Sequence, residues 1–117
     1  MNHRSNSIVN ILLFSALVSI SIGQTPEAPT ASPLEITLSD HKFAPQTLPV
    51  PAGQPLVIKV LNLSKETIEF ESFSLNREKV VEPGKSITVH LPALKPGSYD
   101  FFDDFHQDVP EGAIVAK

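Results

Sequence analysis

Cysteine is absent from these 117 residues, tryptophan is absent too, and there are only one methionine and five glycines. Without thiols the chain forms no disulfide and offers no thiolate to a metal ion. A lipid anchor attached through a cysteine at a cleavage site is excluded as well. No stretch keeps a 3.6-residue apolar period through three turns, so helix is nearly absent. No apolar run reaches the roughly twenty residues that a spanning helix needs. Basic residues are also in deficit, with nine Lys and Arg against thirteen Asp and Glu and a net charge of −4 at pH 7. Nucleic acid and anionic lipid both require a positive face, so neither is an expected partner, whereas cations are. There is no nucleophile elbow, no phosphate-cradling glycine loop and no HExxH. A domain of this size also has little room for a substrate pocket. The chain is therefore not expected to be an enzyme, ferroxidase-like electron transfer being the one activity left open.

The apolar run that does occur, Ile8 to Ile20, follows a short polar segment with Arg4 and precedes Ser21-Ile22-Gly23. That order is the signature of a signal peptide. Residues 1–23 are expected to be removed, sending the chain to a periplasm or the cell exterior with no membrane insertion after cleavage. An uncleaved N-terminal anchor is the competing reading. Cleavage removes Arg4 and no acid, so the charge becomes one unit more negative. Residues 24–33 (QTPEAPTASP) read as a flexible leader. Residues 34–117 form one small domain, near the size at which a single core is only just sufficient.

Within that domain, short apolar alternations are cut by Pro and Gly. Leu34, Ile36 and Leu38 alternate with polar residues, and Thr47 to Val50 is a short edge piece. Leu56 to Asn62 is apolar on both faces, as a central strand would be. Ile68, Phe70 and Ser72 share one face, which turns Glu69 and Glu71 to the other. Lys79 to Val81, then Ile87, Val89 and Leu91, then Tyr99 and Phe101, and finally Ala113 to Ala116 complete the set. Turns at Glu82-Pro83-Gly84-Lys85 and Lys95-Pro96-Gly97-Ser98 separate them. Seven or eight strands with turns at this spacing predict an all-β Greek-key sandwich.

The irregular piece is Asp103 to Gly112. From Asp100 to Glu111 there are five acids, one histidine and no Lys or Arg. Carboxylates this close repel one another unless a cation neutralises them, and carboxylates with one imidazole suit Fe, Mn, Zn or Cu(II). A solvated acidic loop that keeps the protein soluble accounts for the same composition. Glu69 and Glu71, two apart on one strand face, could clamp a hard cation or pair with Arg77 or Lys79. His41 and His90 read as surface residues, and Asn62-Leu63-Ser64 fits a glycosylation sequon that also arises by chance.

Here the chain resembles the cupredoxins. Their domains end in Tyr-x-Phe-x-Cys, with His three residues on, Met about five beyond, then Gly and a last apolar strand. This chain reads Tyr99-Asp100-Phe101-Phe102-Asp103, then His106, then Glu111-Gly112 and Ala113-Ile114-Val115. Phe43-x-Pro45, Val50-Pro51-Ala52-Gly53, Val60-x-Asn62 and Leu94-Lys95-Pro96-Gly97-Ser98-Tyr99 are similar to other parts of that family's pattern. The resemblance covers about residues 34–117 and implies a cupredoxin-like sandwich. It also marks departures: Asp103 stands for the Cys, Glu111 for the Met, and Ile68 falls where the upstream His would be. A type 1 blue-copper centre is built on a Cu–thiolate bond, so blue-copper electron transfer is not carried over.

Glu69-Phe70-Glu71-Ser72 and Asp103-Asp104-Phe105-His106 look like segments of the small cupredoxin-domain proteins associated with bacterial iron uptake. That resemblance implies an iron or copper ion as cofactor and a membrane iron permease or associated periplasmic protein as partner. The candidate ligands are His106, Asp103, Asp104, Glu111, Glu69 and Glu71, with the loop groups and the imidazole expected to meet at one tip of the sandwich. The alternative is a metal-free sandwich that binds a protein partner, and a third reading is a ferroxidase subunit.

Overall fold

The computed structural model describes Gly23 and residues 34–117. Apart from Gly23, the expected signal peptide and leader lie outside the described residues. The domain contains nine strands: β1 (Leu34–Ser39), β2 (Lys42–Ala44), β3 (Thr47–Val50), β4 (Leu56–Asn62), β5 (Ile68–Ser72), β6 (Arg77–Val81), β7 (Ser86–Leu91), β8 (Gly97–Asp103) and β9 (Gly112–Ala116). One sheet has the order β2-β1-β4-β7 and the other β3-β9-β8-β5-β6. Both are mixed, because β1 runs parallel to β4 and β3 parallel to β9, while the remaining pairs are antiparallel. Among the described residues there is no helix.

The period-2 patterns decide which side of each strand is buried. Ile36, Leu38, Ile58, Val60 and Val89 from the first sheet meet Ile68, Phe70, Phe101 and Ile114 from the second, all at most 2 % exposed. Burying each of these large side chains stabilises the fold by about 1.5–3 kcal/mol. Phe101 is the hub, packing edge-on against Phe43 at 5.0 Å and tilted against Phe70 at 5.3 Å. Gly112 lies against the same ring. A Cβ there would overlap Phe101 and come within 2.8 Å of the Gln46 carbonyl, so the opening of β9 has no room for a side chain.

Two expectations are corrected. Strand β2 is additional to the predicted set; Asp40 and His41, both at positive φ, turn the chain back so that Phe43 is buried against β1. Strand β4 is central within its sheet, but only one of its faces is buried. Val57 on the other face is 55 % exposed, because none of the described residues packs over the outer side of that sheet.

Candidate functional site

The end of the sandwich formed by β5, β8 and the loop after β8 holds the acidic residues. Successive residues of a strand point to opposite faces, and this splits the acids into two groups.

The inner group is built on Asp103, the last residue of β8, whose side chain is fully buried. A buried carboxylate needs donors on both oxygens. Oδ1 accepts from the backbone N–H of Glu69 at 3.0 Å and of Phe105 at 3.1 Å. Oδ2 lies 2.8 Å from Nδ1 of His106. Nε2 of the same ring lies 2.9 Å from a carboxylate oxygen of Glu66. With an acceptor on each side, the imidazole satisfies both only when both nitrogens carry protons. The hydrogen bond that His106 donates to Asp103 accordingly raises the His106 pKa; burial opposes this, and the charges of Asp103, Glu66 and Asp108 reinforce it.

Glu66 was not a sequence candidate. It is placed by Asn62, which is fully buried at the end of β4. The Asn62 amide nitrogen donates to the carbonyls of Glu66 at 2.7 Å and Val81 at 2.9 Å, and its Oδ1 accepts from the N–H and hydroxyl of Ser64. With every side-chain polar atom engaged inside the protein, Asn62 is a loop anchor and not a glycan acceptor.

The outer group is Glu69, Glu71 and Asp104, each offering a carboxylate oxygen within 4.8 Å of the others. Asp104 is drawn in by its backbone N–H, which donates to the Glu69 carbonyl at 2.9 Å. Glu71 stands directly across the ladder from Glu78 of β6, a pairing of like charges that destabilises a sheet. Glu69 is only 8 % exposed. Its pKa is pushed up to about 7, first by a hydrogen bond shared with the Glu78 carboxyl, then by burial and by the charges of Glu78, Asp104 and Glu71. Burial, with the charges of Asp104 and Glu78, also raises Glu71. Arg77 does not relieve them, since its guanidinium donates to the carbonyls of Leu75, Asn76 and His90. Among the described residues, the ion pairs of the domain are those of His106, and no Lys or Arg pairs with a carboxylate.

The six candidates thus do not meet at one point. Asp103 and His106 are joined, Glu69, Glu71 and Asp104 are joined, and Glu111 belongs to neither group. Glu111 is exposed, and its carbonyl accepts from Gln46. The residue that reaches inward from this part of the loop is Val109, 3 % exposed, which lines a cavity of about 320 Å³ with Asp103, His106, Glu66 and His41. An apolar side chain fills that interior position at lower cost than a carboxylate.

The family pattern for a cupredoxin-like domain matches residues 10–116. The chain belongs to the cupredoxin-like domain family. An uncharacterized protein from Rickettsia prowazekii (strain Madrid E) is 38 % identical to it over 112 residues, covering 94 % of this chain and 90 % of that protein. Amicyanin from Paracoccus versutus is similar in fold, with a TM-score of 0.59 at 15 % identity over 78 % of this chain and 86 % of that one. The metal-binding domain of the Cu(I)-exporting P-type ATPase CopA of Streptococcus pneumoniae D39, solved with Cu(I), gives 0.64 at 10 % identity over 72 % and 83 %.

A blue-copper ion does not fit this family member. At the position of the thiolate, Asp103 has both oxygens committed to hydrogen bonds, and both nitrogens of His106 face carboxylates. Copper would have to break these contacts and would still lack the sulfur on which a type 1 site depends.

Proposed function

We propose that this cupredoxin-like chain binds a hard or borderline metal ion, iron or copper(II), through the carboxylates of Glu69, Glu71 and Asp104. One observation carries the reading: three carboxylate oxygens lie within 4.8 Å of one another, with no paired Lys or Arg among the described residues. One of these side chains, Glu69, is more than nine-tenths buried. A proton or a cation relieves that arrangement, and a cation relieves all three carboxylates at once. Oxygen-only donors favour hard ions and disfavour soft Cu(I). The domain then serves as a binder and carrier, with no reaction assigned to it. Export by a signal peptide, and delivery of the ion to a membrane iron permease or its periplasmic partner, complete the proposal. These last elements rest on the N-terminal sequence and on the resemblance of the Glu69–Ser72 and Asp103–His106 segments to iron-uptake proteins.

The test is a calorimetric titration of the protein with Fe(II), Fe(III), Mn(II), Zn(II) and Cu(II), beside a Glu69→Gln/Glu71→Gln variant. Saturable binding that vanishes in the variant is the expected result. A ligand bound only by the folded state also stabilises it, by about 2.7 kcal/mol at a hundredfold excess over Kd, so the melting temperature rises in the wild type alone. Equal heats from both proteins refute the proposal.

A further inference from the structure

The turn from β5 to β6 leaves Phe73 78 % exposed. Its ring leans on Phe102 of β8, with centroids 5.1 Å apart and planes at 55°. This aromatic pair forms one side of a cleft of about 480 Å³, which Asp100, Asp104, Gln107 and Glu111 also line. Among the described residues no Lys or Arg lines the cleft. The strand register places Glu69, Glu71 and Glu78 on the same outer face of β5 and β6, again with no base among them. The opposite sheet differs, since its outward positions include Lys42 and Lys59.

Two features of the cleft attract the same kind of group. The faces of phenyl rings carry negative quadrupole charge and draw cations. The carboxylates around them are anionic. A small hydrated metal ion makes no use of the rings. A Lys or Arg side chain uses both features, laying its apolar stem on the phenyl surface while its charged head meets the carboxylates.

We infer that the cleft between Phe73, Phe102, Asp100 and Glu111 docks a Lys- or Arg-bearing segment of a partner protein. Charge complementarity selects this occupant. The chain's own residues 24–33 contain no Lys or Arg and cannot supply the head group. The cleft shares Asp104 with the three-carboxylate group, but Phe73, Asp100 and Glu111 lie outside that group, so separate substitutions distinguish this inference from the metal reading.

The experiment follows backbone amide resonances of the isotope-labelled full chain in EDTA while a capped peptide of alternating Gly and Arg is added, with a Gly/Glu peptide as control. Saturable shifts at residues 73, 100, 102 and 111 are expected with the Arg peptide and none with the Glu peptide. Phe73→Ala, on an exposed turn, weakens the Arg peptide roughly two- to fivefold while the rest of the spectrum stays in place. Asp100→Asn/Glu111→Gln flattens the dependence on salt. Absence of binding at low salt overturns the inference. So do shifts spread evenly over the acidic face and indifferent to Phe73→Ala, which signify unspecific attraction. Concentration-dependent self-association that moves the same resonances without peptide overturns it in favour of a second copy of the chain.

Discussion

Asp103 points between the sheets and has hydrogen-bond donors on both of its oxygens, whereas Asp104, one residue on, points outward among other carboxylates. Glu69 spans both environments. Its backbone N–H serves the inner group, and its carboxyl belongs to the outer one. The two groups share strands and sequence neighbourhood, so what separates them is the period-2 geometry of a strand. Burial forced the inner acid to recruit an imidazole and two amides, and with Glu66 the inner charges are closed off among themselves. The outer acids, of which Glu69 is buried and Glu71 and Asp104 are only partly so, have no basic partner among the described residues and repel one another. Charge satisfied within the fold is structural, and charge left unsatisfied at its surface is free to meet a cation.

The largest expected effect breaks the inner group. Asp103→Ala strands two backbone amides and the imidazole, costing about 2–4 kcal/mol of folding stability by urea denaturation. Asp104→Asn, next to it, leaves stability unchanged or raised, because it removes one member of a repelling set. Similar losses from both substitutions would erase the distinction.

A smaller effect is read from pH. Glu69 has a folded pKa raised from 4.5 to about 7, so its contribution is fully present below about 4.5 and is lost as pH rises through about 7. His106 is also raised, from 6.5, so the stability it adds is present below that value and is lost as pH climbs through its higher folded pKa. Both act in one direction, and the metal-free melting temperature is expected to fall on going from mildly acidic to mildly alkaline buffer. Glu69→Gln removes its own share of that fall and leaves the parts due to Glu71 and His106.

The smallest effect concerns the exposed end of the inner group. Glu66 is 60 % exposed, so Glu66→Gln costs under about 1 kcal/mol. It nevertheless lowers the His106 pKa measured by NMR titration, since one of the charges that raise it is removed. An unmoved His106 pKa would detach Glu66 from the inner group.

Much of this was legible before the fold was seen, for physical reasons that particular residues make clear. Ile36/Leu38, Ile68/Phe70 and Val89/Leu91 announce their strands because each has one buried face, and burial imposes alternation. Asp103 and His106 stood out as a pair three apart, but as ligands of one cation; the turn in which the His106 N–H donates to the Asp103 carbonyl brings the two side chains directly together instead. Strand β2 escaped because Asp40 and His41 take the left-handed conformation without a glycine to signal it. Glu66 escaped because its position depends on the side chain of Asn62, a tertiary device with no local pattern. Glu111 misled because spacing along a loop says nothing of which side chain turns inward, and Val109 took the interior.

The central claim is that the outer carboxylates, and not Asp103 and His106, receive the cation. Substoichiometric Mn(II) added to the isotope-labelled protein tests it directly, because a paramagnetic ion broadens the resonances nearest to it. The account predicts that the side-chain carboxyl signals of Glu69, Glu71 and Asp104 broaden first, with the His106 ring signals persisting beyond them. Loss of the His106 signals first, or uniform broadening across every acidic residue, would contradict it.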